Sequence, residues 1–384
     1  MRLAAAILGA LALSVSGWAL AQDSEAGEIE LIVSGPPIEA NETGQPYLYR
    51  NPRNLSTSGG SRAQAWSMLG REDLSAGADD EYDPSPCSAL APLTQGENAV
   101  LARIVDRAKD HRVVVINESH TVTRHRDFSR QVIAALRQHS FDVLAAETFS
   151  NAEEEPDPVD QHADKPYIHI YEGYYSREPV FAAMLREAKA RGYRFAAYEQ
   201  VYGSTRDREA EQAERLAAVL ETMPLEQKLI VHVGYGHATE NKRMTADGQD
   251  VSRMAARLKR DHGFDPLTIA QTQCRGSADS VQLSQPPERV MGWFDLIVDH
   301  PVHGFRHGRS DWRFTAGARA VDIPEPYASA HETLIIEVFA EGEPFEAVPV
   351  DRVWVDPGED VKLALKPGRY TVRAVRPATL PERD

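Results

Sequence analysis

Several hydrophobic runs in this sequence stop at residues able to do acid–base or metal chemistry. The run at 113–116 ends in Asn117-Glu118-Ser119-His120, and His125 follows. The run at 143–146 ends at Glu147, and the one at 193–198 ends at Glu199. The run at 229–233 leads into His232-Val-Gly-Tyr-Gly-His237, with Glu240 after it, and the run at 267–270 leads into Gln271 and Gln273. Glutamate and histidine can orient a water, take its proton and return a proton to a leaving group. The same donors can hold Zn²⁺, Mn²⁺ or Fe²⁺, and the metal then acidifies its bound water. On an extended segment Glu118 and His120 point to the same side, because side chains repeat every second residue. Gly234 and Gly236 allow backbone to approach a ligand closely, or serve only the turn. Any one strand end is a common place for a polar residue. Several such ends on one edge make a candidate site.

The elements that must position these residues follow from periodicity. Helical stripes are expected at 98–110, 124–139, 179–191, 207–223 and 250–261, alternating with strands at 113–116, 143–146, 193–198, 229–233 and 267–270. A further strand at 294–298 is expected in the same sheet. This alternation predicts an α/β fold: a doubly wound, mainly parallel sheet of five or six strands with helices on both faces. In such a sheet, ligands bind outside the carboxyl ends of the strands, which is where the acids and histidines fall. After residue 276 the alternation stops. Short β runs at 333–339, 347–355, 361–365 and 370–375 predict a small antiparallel, sandwich-like β domain over 324–384. The α/β domain then covers 86–323. Residues 22–85 are polar and read as an extended arm, with one strand near 28–33 and a short helix near 62–69. Residues 1–21 read as a signal peptide: Arg2, an apolar run, then Ala19-Leu20-Ala21. The apolar run is too short to span a bilayer, so the expected location is periplasmic or secreted, after cleavage near Ala21.

At the chemical residues the chain resembles a known family. Asn117-Glu-Ser-His120 with His125 looks like the Gly-Glu-x-His-(four residues)-His signature of the ChaN-like proteins, grouped with erythromycin esterases and Tiki-type metalloproteases. Glu147-Thr-Phe resembles the family's Glu-x-Phe after the second strand. Val233-Gly-Tyr-Gly-His237 resembles its glycine-histidine turn. Order and spacing agree over about residues 96–300. The resemblance implies an α/β fold with hydrolase-type or haem/metal chemistry. It marks Glu118, His120, Glu147 and His237 as catalytic, with His120, His237 and Glu147 as metal ligands if a divalent metal is used. His125, Gly234 and Gly236 stand as cofactor-binding candidates. Asn117 departs from the family's glycine. The lipid-anchoring cysteine of haem-binding members is absent, and nothing marks a macrolide pocket or carries protease activity across.

Composition narrows the field. With 58 acids against 42 bases, the chain carries a formal charge of −16, a surface that repels phosphate backbones, so nucleic acid is not an expected partner. The two cysteines, Cys87 and Cys274, flank the regular region and are expected to form a disulfide in an oxidising compartment. Closing so long a loop is worth about 5 kcal/mol in the chain-entropy model. No Gly-x-Ser-x-Gly elbow, phosphate loop or dinucleotide fingerprint occurs. His300, His303 and His307 sit in a segment that reads as a solvated loop, with metal binding or a cover over the site, lined by Trp312, as the other readings. The stretch holding His162, Tyr167, His169, Tyr171, Tyr174 and Tyr175 falls on the ligand edge, as a substrate-recognition element, a haem cover or a packed excursion. The functions that remain are an exported hydrolase of an ester or amide in a small-molecule or peptide substrate, with or without a metal; a haem- or metal-binding protein without turnover; and an inactive binding protein.

Overall fold

Val113, Val114, Val115 and Ile116 are β-branched, a type that packs well on a pleated surface and loses rotamer freedom in a helix. In the computed structural model, which describes residues 27–56, 60–76, 84–151, 157–200 and 204–379, they open the strand Val113–Glu118, buried along its whole length. The expected signal segment at 1–21 lies outside the described residues. Val113–Glu118 pairs in parallel with Lys228–Gly234 on one side and Leu267–Ala270 on the other. Among the described residues the sheet has seven strands, in the order Arg194–Ala196, Phe141–Ala146, Lys228–Gly234, Val113–Glu118, Leu267–Ala270, Leu296–Asp299 and Gln282–Ser284. All neighbours are parallel except the last pair. The sheet therefore exceeds the expected five or six strands, by the three-residue antiparallel edge strand Gln282–Ser284.

Successive side chains of these strands alternate between two cores. Val114, Ile116, Leu144 and Ile230 pack with Phe128, Val132, Phe181 and Leu185. Val113, Val115, Val143 and Val231 pack with Leu216, Leu220, Met254 and Leu258 on the opposite face. The helices Thr123–Leu136 and Pro179–Ala190 thus cover one face, and Thr205–Thr222 and Met254–His262 cover the other. Glu178 caps its helix by accepting the backbone N–H groups of Val180 and Phe181 at 2.9 and 2.8 Å. The helix at Met254 starts later than the expected residue 250. There Asp250 instead accepts the Ser252 N–H (2.8 Å) in a local turn that competes with helix.

The C-terminal strands are not a purely antiparallel set. Leu334–Ala340 is antiparallel to both Asp351–Val355 and Gly368–Arg376. Gly368–Arg376 also takes Ile29–Val33 and Ile38–Glu39 as parallel partners from the N-terminal segment. Parallel pairing needs a long crossover, so no local pattern announces it. The strand expected near 28–33 and the short helix expected near 62–69 are present as Ile29–Val33 and Ser61–Met68. The rest of the segment is not extended: Tyr49, Trp66 and Leu69 are buried against Ile335, Trp354 and Val375. Cys87 and Cys274 are disulfide-bonded, with Cα atoms 5.6 Å apart. None of the described helices is long and apolar enough to cross a membrane.

Candidate active site

Glu118 is the last residue of its strand and is 1% exposed. Burial of a lone carboxylate would be costly, and Arg126 from helix Thr123–Leu136 meets it with two hydrogen bonds, Nε to Oε2 at 2.7 Å and Nη2 to Oε1 at 2.8 Å. Burial raises the Glu118 carboxyl, but the Arg126 charge and the hydrogen bond from His120 outweigh it and hold the group well below the usual carboxylate range. Arg126 also reaches the buried Glu178 at 3.0 Å. An ionised carboxylate only accepts, so His120 Nδ1, 3.0 Å from Glu118 Oε1, carries the proton. In the neutral ring Nε2 is then the basic nitrogen. It lies 4.0 Å from Glu147 Oε1.

His237 is arranged in the same way. Its Nδ1 is 3.0 Å from Glu209 Oε2, and its Nε2 is 3.5 Å from the same Glu147 Oε1. Glu209 is fixed in turn by Arg253 (2.6 Å) and the Met254 backbone N–H (2.7 Å). Burial lowers the His237 imidazole, but the charge of Glu147 and the Glu209 hydrogen bond overcome it and raise the group above its ordinary value. Glu147 follows its strand directly. Its Oε1 accepts Arg208 Nη2 at 2.9 Å and its Oε2 accepts the Gly234 backbone N–H. Burial raises Glu147, while His237, His120, Arg208 and the Gly234 amide lower it further than burial lifts it. Arg208 is held from behind by Glu199 (2.7 Å).

The His120 ring stacks on Tyr175, with centroids 4.1 Å apart, and meets Tyr235 edge-on at 5.0 Å. Gly234 is required here, because a Cβ would lie 2.4 Å from His120 Cε1 and 2.8 Å from Glu147 Oε2. Gly236 has more room, its nearest neighbour being Arg253 Nε at 3.8 Å.

The structure thus brings together Glu118, His120, Glu147, His237 and Gly234. His125 is not with them. It accepts the Ser119 backbone N–H at Nδ1 (3.0 Å), and its ring centroid lies 5.1 Å from that of His300, in the wall of a separate cavity. Glu240 pairs with Lys259, and Gln273 with Arg289. Gln271 braces Asn117 and His300. His307 is held by Asp360, and Trp312 lines the His125 cavity rather than covering His120. Of the aromatic stretch, Tyr175 reaches the site, Tyr171 and Tyr174 are exposed, and His162 stacks on His169.

The sequence reading missed Arg126, Arg208 and Glu209. Each lies in the first turns of a charged helix, where such residues ordinarily face solvent. A metal is poorly accommodated. Both oxygens of Glu147 are engaged, one by a guanidinium that would repel a divalent ion. Among the described residues no group of three His, Cys, Asp or Glu side chains is placed to hold one.

No protein-family model matches the chain, and no curated protein matches it. Among solved structures, part of the chain is similar to RRSP, a MARTX toxin effector domain from Vibrio vulnificus (16% identity, 62% of this chain and 48% of that one, TM-score 0.33). It is also similar to the type III effector HopBA1 (14% identity, 52% of this chain and 93% of that one, TM-score 0.38). The chain spans only 36% and 37% of two bacterial protein toxin structures that it matches. An erythromycin esterase in its open conformation is a remoter likeness (11% identity, 92% of this chain and 84% of that one, TM-score 0.16). The resemblance read from the motifs meets only this weak structural counterpart, and none of these likenesses brings an activity to this chain.

Proposed function

We propose that this protein is an exported hydrolase that activates water against an ester or amide bond. One observation carries the reading: two imidazoles, each anchored at Nδ1 by a buried carboxylate, turn their Nε2 atoms toward one oxygen of Glu147. Anchoring at Nδ1 fixes tautomer and ring direction, which a catalytic histidine needs. On this reading His120 Nε2 takes a proton as the water oxygen bonds to the carbonyl carbon. Glu118, kept ionised by Arg126, stabilises the imidazolium that forms. His237, its imidazole raised by the charge of Glu147 and the hydrogen bond to Glu209, acts as the acid and hydrogen-bonds the developing oxyanion. The tetrahedral adduct collapses, the bond to the leaving group breaks, and the His120 proton passes to that group. The residues suit this chemistry without a metal step.

Topology supports the same reading. The chain leaves Val113–Glu118 toward Phe141–Ala146 over one face, and leaves Lys228–Gly234 toward Leu267–Ala270 over the other. We take the sheet as doubly wound, with its switch point between these two central strands, where a crevice is expected. The disulfide fits an oxidising compartment, reached through the segment at 1–21.

The test is a panel of ester and amide substrates of small-molecule and peptide size, with His120→Ala and His237→Ala compared to the parent. Hydrolysis should fall by about 10²-fold or more in each, with circular dichroism and thermal unfolding unchanged. Full activity in His120→Ala would remove its catalytic role. A Soret band in the purified protein, with no turnover of any substrate, would replace hydrolysis by haem carriage.

A further inference from the structure

Tyr175, whose ring lies on His120, belongs to an excursion with an exposed side that the hydrolytic step does not use. Gly173 lies so close to Thr148 that a Cβ would fall 2.1 Å from its carbonyl oxygen, and the Ser176 N–H donates to Thr148 Oγ1 at 2.9 Å. Thr148 follows Glu147 directly, so the excursion is seated on the loop that carries the site. Tyr174 is 52% exposed and meets Tyr175 edge-on, with centroids 5.3 Å apart. Beyond it, the guanidinium carbon of Arg177 lies 5.8 Å from the Tyr174 ring centroid. Tyr171, 48% exposed, is close enough for its hydroxyl to act on the same guanidinium.

Arg177 differs from the guanidiniums around the Glu147 cluster. Arg126, Arg208 and Arg253 each meet a buried carboxylate, and Arg177 meets none among the described residues. Its Nε donates to the Ile170 carbonyl at 3.1 Å, the one hydrogen bond its side chain makes among those residues. Its backbone carbonyl accepts Arg352 Nη1 at 2.7 Å. Backbone and Nε are thus anchored, and the two terminal nitrogens are left to meet a ligand. Burial pulls the group below its ordinary value. Arg352 adds to that, Tyr174, Tyr171 and Tyr49 act against it, and no carboxylate is among them. The charge beneath has the same sign, because Arg352 and Arg373 share one carboxylate, Glu337. A local excess of positive charge in a chain of formal charge −16 attracts an anion. A guanidinium fork matches the two oxygens of a carboxylate.

We propose that Arg177, with Tyr174 and Tyr171 at its sides, is a subsite that binds a carboxylate of the substrate, the tyrosine rings covering the chain that leads to it. The inference rests on the hydrolytic reading of the Glu147 cluster and names its substrate class: a peptide with a free carboxylate. From His120 to Tyr175, to Tyr174 and to Arg177 the steps are 4.1, 5.3 and 5.8 Å. At roughly 3.3 Å per residue, at most about five extended residues separate the carboxylate from the scissile bond. The carboxylate belongs to a C-terminus or to an Asp or Glu side chain, and both present the same two oxygens to the fork.

Acetyl-Ala-Phe-Ala is the probe, as the free acid and as its C-terminal amide, titrated by calorimetry into the full disulfide-bonded protein. The acid should bind about tenfold or more tighter than the amide. Arg177→Met should abolish that difference, with thermal unfolding as in the parent. Arg177→Lys, which keeps the charge and loses the fork, should restore part of it. Tyr174→Ala should weaken both forms about threefold and keep their ratio. Acetyl-Ala-Phe-Asp-amide separates the two sources: binding like the acid supports a side-chain carboxylate, and binding like the amide supports a C-terminus. Equal affinity of acid and amide in the parent would overturn the proposal. So would a difference that survives in Arg177→Met, or no heat from any peptide up to about 10 mM. Cleavage is followed separately by mass spectrometry, and if the acid is cut, Arg177→Met should raise its KM about tenfold or more. Carboxylate-selective binding with no turnover of any peptide would keep the subsite and overturn the hydrolytic reading.

Discussion

Arg126→Met should destabilise the protein severely and in a pH-dependent way. Arg126 is 1% exposed, and its guanidinium serves two carboxylates, Glu118 and Glu178, themselves 1% and 0% exposed. Methionine keeps the stem packed on Phe181, whose ring centroid lies 5.2 Å from the guanidinium carbon. The loss is therefore charge rather than volume. Breaking one partner from a buried ion pair costs about 3–5 kcal/mol, because the other charge stays buried and uncompensated. Glu178 keeps the two helix-capping N–H groups, which places most of the penalty on Glu118. The sign with pH follows from the direction of the shift. In the parent, Glu118 is held below its unfolded value, so its contribution is present above about pH 4.3 and fades as pH falls. In the variant, burial acts with much less opposition and the carboxyl is raised. The folded state then binds the extra proton, and stability is lost as pH rises. The gap between parent and variant should be near its full 3–5 kcal/mol at pH 7 and clearly smaller near pH 5. Urea unfolding followed by circular dichroism, disulfide intact, measures it at both pH values. A gap below about 1 kcal/mol, or one that does not change with pH, would refute the claim that Arg126 keeps Glu118 ionised.

Other expectations follow from the same geometry. Gly234→Ala should cut hydrolysis about 10²-fold with little change in unfolding, since its Cβ would push the His120 ring from its place; steady-state kinetics beside a urea curve separates the two effects. Glu209→Gln removes a charge that raises His237, so the alkaline limb of the pH–rate profile should move to lower pH; an unmoved limb would mean His237 is not the acid. Replacing Cys87 and Cys274 together by serine should cost about 2–5 kcal/mol in urea unfolding, and equal stability would show that the bridge constrains little.

The strand ends were legible because each strand is a hydrophobic run that stops abruptly. Glu118, Glu147 and His237 stand at such stops, and βα alternation alone sends the stops to one edge. What orients them was not legible. Arg126 sits in Thr-Arg-His-Arg-Asp-Phe, a stretch that reads as a solvated helix start, and only the fold reveals that His125, Arg126 and Asp127 are buried there. Glu209 is one acid among several in Thr205–Thr222, and its bond to His237 spans 28 residues. His125 misled for the opposite reason. Its spacing from His120 matches a motif, but helical rotation turns its ring away from Glu147 toward His300. Gln282–Ser284 escaped because three residues carry no measurable period.

The pairing of Ile29–Val33 with Gly368–Arg376 sets an order of assembly. Glu30 and Arg369 meet across 339 residues of chain, so a strand made early waits for one made late. Until then its edge is unpaired, and an unpaired edge is a template for the wrong neighbour. The whole seven-stranded unit is threaded between the two halves of this clasp and can form first. Contacts of such long range form slowly, so closing the clasp should be the last and slowest event of folding. A chain cut ahead of Gly368 would lack the strand on which both Ile29–Val33 and Leu334–Ala340 pair, leaving an edge of each open to its surroundings.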